Sequence, residues 1–177
     1  MERLYSWDTS YDKNLFVRES HNCYNYFLNL KSRRAYNLCK KEHKPGHRCR
    51  RPQPGYAVQM PMIKGADLNC KSMMDRTLSD NKHMFRTKKN CPKTHYKGAL
   101  VVAPGNDYHY YRLNDDGVWT HKPGHTQTRS FNADHADITD PETANRKYRN
   151  ADYSDFCGYL CVPRSRKQKR MKMYKEK

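Results

Sequence analysis

The stretch Tyr96–Val102, with its apolar run Ala99-Leu100-Val101-Val102, most narrows what this chain can fold into. Consecutive apolar residues over so short a length read as a strand buried on both faces. Pro104-Gly105-Asn106-Asp107 turns the chain, and Tyr108–Leu113 follows as a second strand. Asn114-Asp115-Asp116-Gly117 is a hairpin signal, after which Val118–His121 pairs back until Lys122-Pro123-Gly124 ends the strand. Local turn chemistry thus specifies an antiparallel meander on which the other elements must pack.

Those elements are fewer. Ser20 or Asn22 is placed to cap a helix over Cys23–Tyr36, with Tyr24, Phe27, Leu28 and Tyr36 near the helical period. A second helix is expected around Asn69–Asn81, and a short one at Asp140-Pro141-Glu142, with the proline at its first position. Prolines punctuate Cys39–Gly65, which reads as loop with a short strand at Tyr56–Met60. Phe85–Thr94 reads as loop and Asp155–Val162 as a last strand. The fold class is α+β: a domain over 21–163, an irregular N-terminal arm over 1–20 and a basic C-terminal tail over 164–177. The arm holds Tyr5, Trp7, Tyr11, Leu15 and Phe16 without helical or strand period.

Composition decides the character of the core. At 177 residues the chain is long enough for one buried core. Only 36% of it is hydrophobic, and 14 residues are tyrosine, so the core should be small and tyrosine-rich. The net charge of +17 attracts polyanions or acidic protein surfaces. Nine Lys or Arg between Lys31 and Arg51 face a single acid, Glu42, and eight between Arg164 and Lys177 face Glu176. From Asn106 to Asp155, nine acids outnumber six bases. No apolar run approaches a membrane span, and no secretory leader is expected from the first residues. Seven cysteines forbid complete internal pairing; they are either reduced, as in an intracellular chain, or form up to three disulfides in an oxidising medium. Cys157 and Cys161, four apart on one strand face, either reach other cysteines or fill core.

A thiol attacks a carbonyl carbon as thiolate, so a cysteine nucleophile needs a base, and a helix start favours the ionised sulfur. Cys23 stands at such a start. His109 lies in the strand Tyr108–Leu113, on one face with Tyr111, and His121 in the adjacent hairpin strand is placed to orient its ring. Asp115 is an alternative orienter. Without such company, Cys23 and His109 are ordinary core residues. The order of nucleophile on a helix, base on a strand and orienter on the next resembles papain-like cysteine peptidases, in particular small bacterial cell-wall amidases. That resemblance covers about residues 20 to 125 and implies Cys23 as nucleophile, His109 as base and His121 as orienter, on a helix packed against an antiparallel sheet. Tyr24 and Tyr26 crowd the helix start where the family usually sets small residues.

The strings Cys23-Tyr24-Asn25-Tyr26, Asp107–Arg112, Trp119–Gly124 and Phe156–Pro163 are similar to small proteins of large double-stranded DNA viruses of algae and amoebae, and of some bacteria. This similarity implies a virion structural protein, a minor capsid or internal component located in the virion. Its partners would be other capsid or virion proteins, and its hydrolase site vestigial. An active cysteine peptidase or amidase using Cys23 and His109 is the alternative, and a basic nucleic-acid-binding protein the next.

Two further groups carry chemistry. Cys39, His43, His47 and Cys49 lie within eleven residues and offer a Cys2His2 zinc set in a spacing unlike common fingers; the plain alternative is a solvated basic loop, and no other cofactor is expected. Arg33, Arg34, Lys40, Lys41, Arg50 and Arg51, with Arg164, Arg166, Lys167, Lys169 and Arg170, are candidates for polyanion or partner contact. No helix-turn-helix or RNA-recognition motif accompanies them.

Overall fold

A computed structural model describes residues 3–6 and 8–175; Trp7, expected in the arm, and the last two residues of the expected tail lie outside the described residues. The fold is α+β. One antiparallel sheet runs in the order β1-β5-β2-β3-β4, from β1 (Phe85–Thr87), β2 (His95–Ala103), β3 (Asp107–Leu113), β4 (Trp119–His121) and β5 (Asp155–Pro163). Four helices accompany it: α1 (Leu15–Ser20), α2 (Cys23–Leu28), α3 (Arg33–Glu42) and α4 (Cys70–Asp80).

The apolar run takes the place its composition demands. Ala99, Leu100, Val101 and Val102 are fully buried in β2, between β5 and β3. On one face α2 and α4 seat Tyr24, Phe27 and Met73 against Leu100, Tyr110 and Leu160; on the other, Ala99, Val101 and Tyr111 pack with Trp119 and Ile138. The core is tyrosine-rich, and its phenols find partners: Tyr24 donates to Asp80 (3.0 Å) and Tyr96 to the Phe27 carbonyl (2.7 Å). Buried Arg112 lies over the Tyr26 ring at 3.9 Å and bonds the Tyr26 carbonyl and Asn29, tying the end of α2 to the β3–β4 hairpin.

Several local expectations are corrected. The helix expected over Cys23–Tyr36 is two helices, because Asn29 takes the left-handed conformation (φ 48°) that ends α2, and Ser32 caps α3. That second helix continues to Glu42, into the stretch read as loop. Tyr56–Val58 is a 3-10 turn instead of a strand, and Phe85–Thr87 a strand instead of loop. Asp140 accepts from the Glu142 amide in a turn that starts no helix. The expected arm folds onto the body: Leu4 and Tyr11 are buried, the Leu4 amide donates to Asp115 (2.8 Å), and Asp12 bonds Thr128. Residues 164–173 also pack, burying Lys169 and Met173 and bridging Lys172 to Gln53.

Candidate functional site

Asn22 builds the start of α2. Its Oδ1 accepts from the amides of Tyr24 (3.1 Å) and Asn25 (3.2 Å), while the Asn25 side chain accepts from the Asn22 amide (3.0 Å). Cys23 is therefore held at the first helical position, 5% exposed, and it is the free thiol of the chain. Burial pushes this thiol up to about 12, with the charge of Asp107 adding to the shift; the Tyr110 amide, Arg51 and Lys122 work in the opposite direction. At neutral pH the sulfur rests protonated.

His109 stands opposite Val101 in the sheet and is almost fully buried. Its Nε2 is 2.7 Å from Nδ1 of His121, and His121 Nε2 is 3.0 Å from the carbonyl of Phe131. A carbonyl only accepts, so His121 carries its proton on Nε2 and accepts at Nδ1 from His109 Nε2–H. Nδ1 of His109 is left with a lone pair, which no described residue engages. Burial, then His121 and Arg129, hold His109 well below the ordinary histidine range; burial brings His121 to about 4. Both rings are neutral, the form a base requires.

Alternation puts His109 with Tyr111 on the face away from α2, whereas Cys23 packs with Tyr108 and Tyr110. β4 pairs only with 111–113 of β3, which leaves the edge at 107–110 without a strand partner on that side. At that edge both residues line a cavity of about 400 Å³, together with Arg48, Arg51, Gln53 and Tyr153. No hydrogen bond joins the thiol to the imidazole among the described residues. Asp115, the alternative orienter, sits beyond the far end of β3 and is occupied by Arg164 (2.5 Å) and the Leu4 amide.

The zinc set is corrected. Cys39 and Cys49 form a disulfide, which removes both thiolates and leaves His43 and His47 on a surface loop. Among the described residues no three His, Cys, Asp or Glu side chains are placed to share a metal ion. Cys70–Cys157 and Cys91–Cys161 are the other disulfides, so the strand pair Cys157 and Cys161 reaches separate partners.

The basic residues divide by environment. Arg33, Arg34, Lys40 and Lys41 are exposed on α3, and Arg166 and Lys167 on a surface turn. Arg50 pairs with Glu42 at 3.5 Å and Arg164 with Asp115. Lys169 is buried over the Tyr96 ring, and Arg170 bonds the Asp80 carbonyl (3.1 Å). Arg51 turns into the Cys23 cavity. Sequence reasoning missed Arg48, Gln53, Tyr153 and the Phe131 carbonyl; a carbonyl has no residue signature, and the others enter through loops whose path the sequence does not reveal.

The chain is 51% identical over 69 residues to Insoluble matrix shell protein 1 of Ruditapes philippinarum, a match covering 38% of this chain and 44% of that protein. The matched part is thus less than half the length of that relative. No family model matches the chain, and no solved structure matches it. The kinship corrects the expectation of a virion structural protein located in a virus particle, with capsid partners. That expectation came from the similarity of short strings, and basic charge with abundant tyrosine did not discriminate against it, because both suit assembly on any acidic surface. No helix among the described residues is long and apolar enough to cross a membrane.

Proposed function

We propose that this chain is a disulfide-stapled component of an extracellular organic matrix, built on a papain-like scaffold and associating with acidic matrix polymers through its basic faces. The kinship with a shell matrix protein carries this reading. The pairing of six cysteines supports it, because disulfides persist in oxidising compartments and are rare in the cytosol. Exposed Arg33, Arg34, Lys40 and Lys41 on α3 supply a face for polyanions. The 177-residue chain is expected to be retained on immobilised polyaspartate and released by salt, as screened contacts between exposed charges require. Reversal of those four residues to Glu should lower the eluting salt concentration. Equal retention on an uncharged support, or none on polyaspartate, would refute the reading.

One observation favours a second reading, an acyl hydrolase of peptidase or amidase type. The relay from the Phe131 carbonyl through His121 leaves His109 Nδ1 with a free lone pair, and His109 and Cys23 line one cavity. Because the thiol rests protonated, His109 would take its proton as sulfur attacks a bound carbonyl, and the Tyr110 amide would stabilise the charge on sulfur. An electrophilic probe should label Cys23 in the native protein, and His109→Ala should slow that labelling while the fold, followed by circular dichroism, persists. Labelling at the same rate in both proteins ends the hydrolase reading.

A further inference from the structure

The basic residues of this molecule fall into two classes, those already neutralised and those left open. Arg50, Arg76 and Arg164 have carboxylate partners, and Arg170 is bonded to the body. Arg48 and Arg51 line the Cys23 cavity, yet neither has a hydrogen bond or ion pair among the described residues. Nearby groups feel this uncompensated charge: Arg51 opposes protonation of Cys23 and of Lys122, and Arg48 that of His125.

The backbone that carries these two arginines is also held in place. Asn22, the residue that caps the Cys23 helix, donates from Nδ2 to the Pro52 carbonyl at 3.0 Å, fixing the chain just after Arg51. The Cys39–Cys49 disulfide fixes it just after Arg48. Gly124 lies beside Arg51: a Cβ there would make an ordinary contact with its Nη1, at 3.6 Å. The cavity continues past Arg48, Gly124 and Tyr153 into a second of about 500 Å³, whose wall adds Arg129 and Arg149. Asp107 is the carboxylate on either wall, and its Oδ2 is taken by the Tyr153 hydroxyl at 2.7 Å.

We propose that this cleft binds an acidic polypeptide segment, with Arg48 and Arg51 gripping its Asp or Glu carboxylates beside Cys23. A guanidinium presents a planar fork that matches a carboxylate in two parallel hydrogen bonds. A polypeptide is the occupant because Ile63, Leu68 and Tyr56 add apolar surface suited to side chains to the lining of the first cavity. The proposal rests on the matrix reading, for which it names the chemistry of a partner and the place where it binds.

Fluorescence anisotropy with a labelled peptide of eight alternating Asp and Glu residues tests it on the 177-residue chain. Arg48→Ala with Arg51→Ala should weaken binding at least about tenfold, since one charge-assisted hydrogen bond is worth about that factor. Lys88→Glu with Lys89→Glu, exposed on the loop after β1, changes the net charge by more and should alter affinity less than about twofold at moderate salt. Thermal melts establish that the variants fold, and Arg51→Lys, which keeps the charge and removes the fork, should fall between wild type and the double alanine variant. Three outcomes overturn the cleft site: equal affinity for the alanine variant, equal affinity for an Asn/Gln peptide, or displacement by an oligonucleotide that binds more tightly than the peptide. Polyaspartate retention that is unchanged by charge reversal at Arg33, Arg34, Lys40 and Lys41, with peptide binding intact, overturns the matrix reading alone.

Discussion

Both ring nitrogens of His121 and of His21 are committed to particular partners. His121 donates to the Phe131 carbonyl and accepts from His109; His21 donates from Nδ1 to the Val17 carbonyl (3.0 Å) and accepts at Nε2 from the Ser32 amide (2.9 Å). Each ring is neutral when so bonded, and burial lowers each from 6.5 to about 4. The unfolded chain therefore takes up protons that the folded chain refuses. The resulting stability is complete above pH 6.5 and is lost as pH falls toward about 4, at roughly 1.4 kcal/mol per unit of pKa difference for each ring. Urea midpoints should be level near neutral pH and fall steeply through that window; a flat profile down to pH 4 would show that the rings are not held neutral. Strand alternation placed His109 and His121 within reach of one another in the sequence, whereas the direction of the proton relay depends on the carbonyl of Phe131, which no side-chain pattern announces.

At the scale of elements, the contact between α2 and β2 is the tightest constraint. Gly98 of β2 lies under the Phe27 ring: a Cβ there would overlap that ring and come within 3.0 Å of the Tyr111 carbonyl. Gly98→Ala should cost about 1–3 kcal/mol, read as a shifted urea midpoint, because neither a buried ring at 0% exposure nor sheet backbone has space to retreat. Phe27→Leu, which removes most of the clash, should recover part of that loss; an alanine variant as stable as wild type would mean the helix lies further from the sheet. β2 to β4 were legible because turns and apolar runs are local signals. The division of the first helix was not, since Asn29 is tolerated within helices and its left-handed turn is stabilised here by Arg112, 83 residues away.

Over the whole molecule, three disulfides hold together a chain with little aliphatic core. Cys70–Cys157 and Cys91–Cys161 tie α4 and the loop after β1 to β5 across separations of 87 and 70 residues, and Cys39–Cys49 closes ten. Loop-closure entropy assigns roughly 4–5 kcal/mol to each long link and about 3 kcal/mol to the short one. Reduction followed by alkylation is expected to lower the melting temperature sharply, and Cys39→Ser with Cys49→Ser to lower it less while freeing the loop that carries Arg48. An unchanged melting temperature after complete reduction would show that the core suffices without them.

Local pattern and counting were enough for the meander, the α+β class, the basic character, a helix start at Cys23 and a strand through His109. Tertiary structure decided which cysteines pair, that the terminal segments pack instead of projecting, that Asp115 is occupied elsewhere, and that Arg48 and Arg51 open onto the thiol. Those outcomes depend on residues tens of positions apart being brought together at one strand edge, and such proximity is a property of the folded chain that no local signal carries.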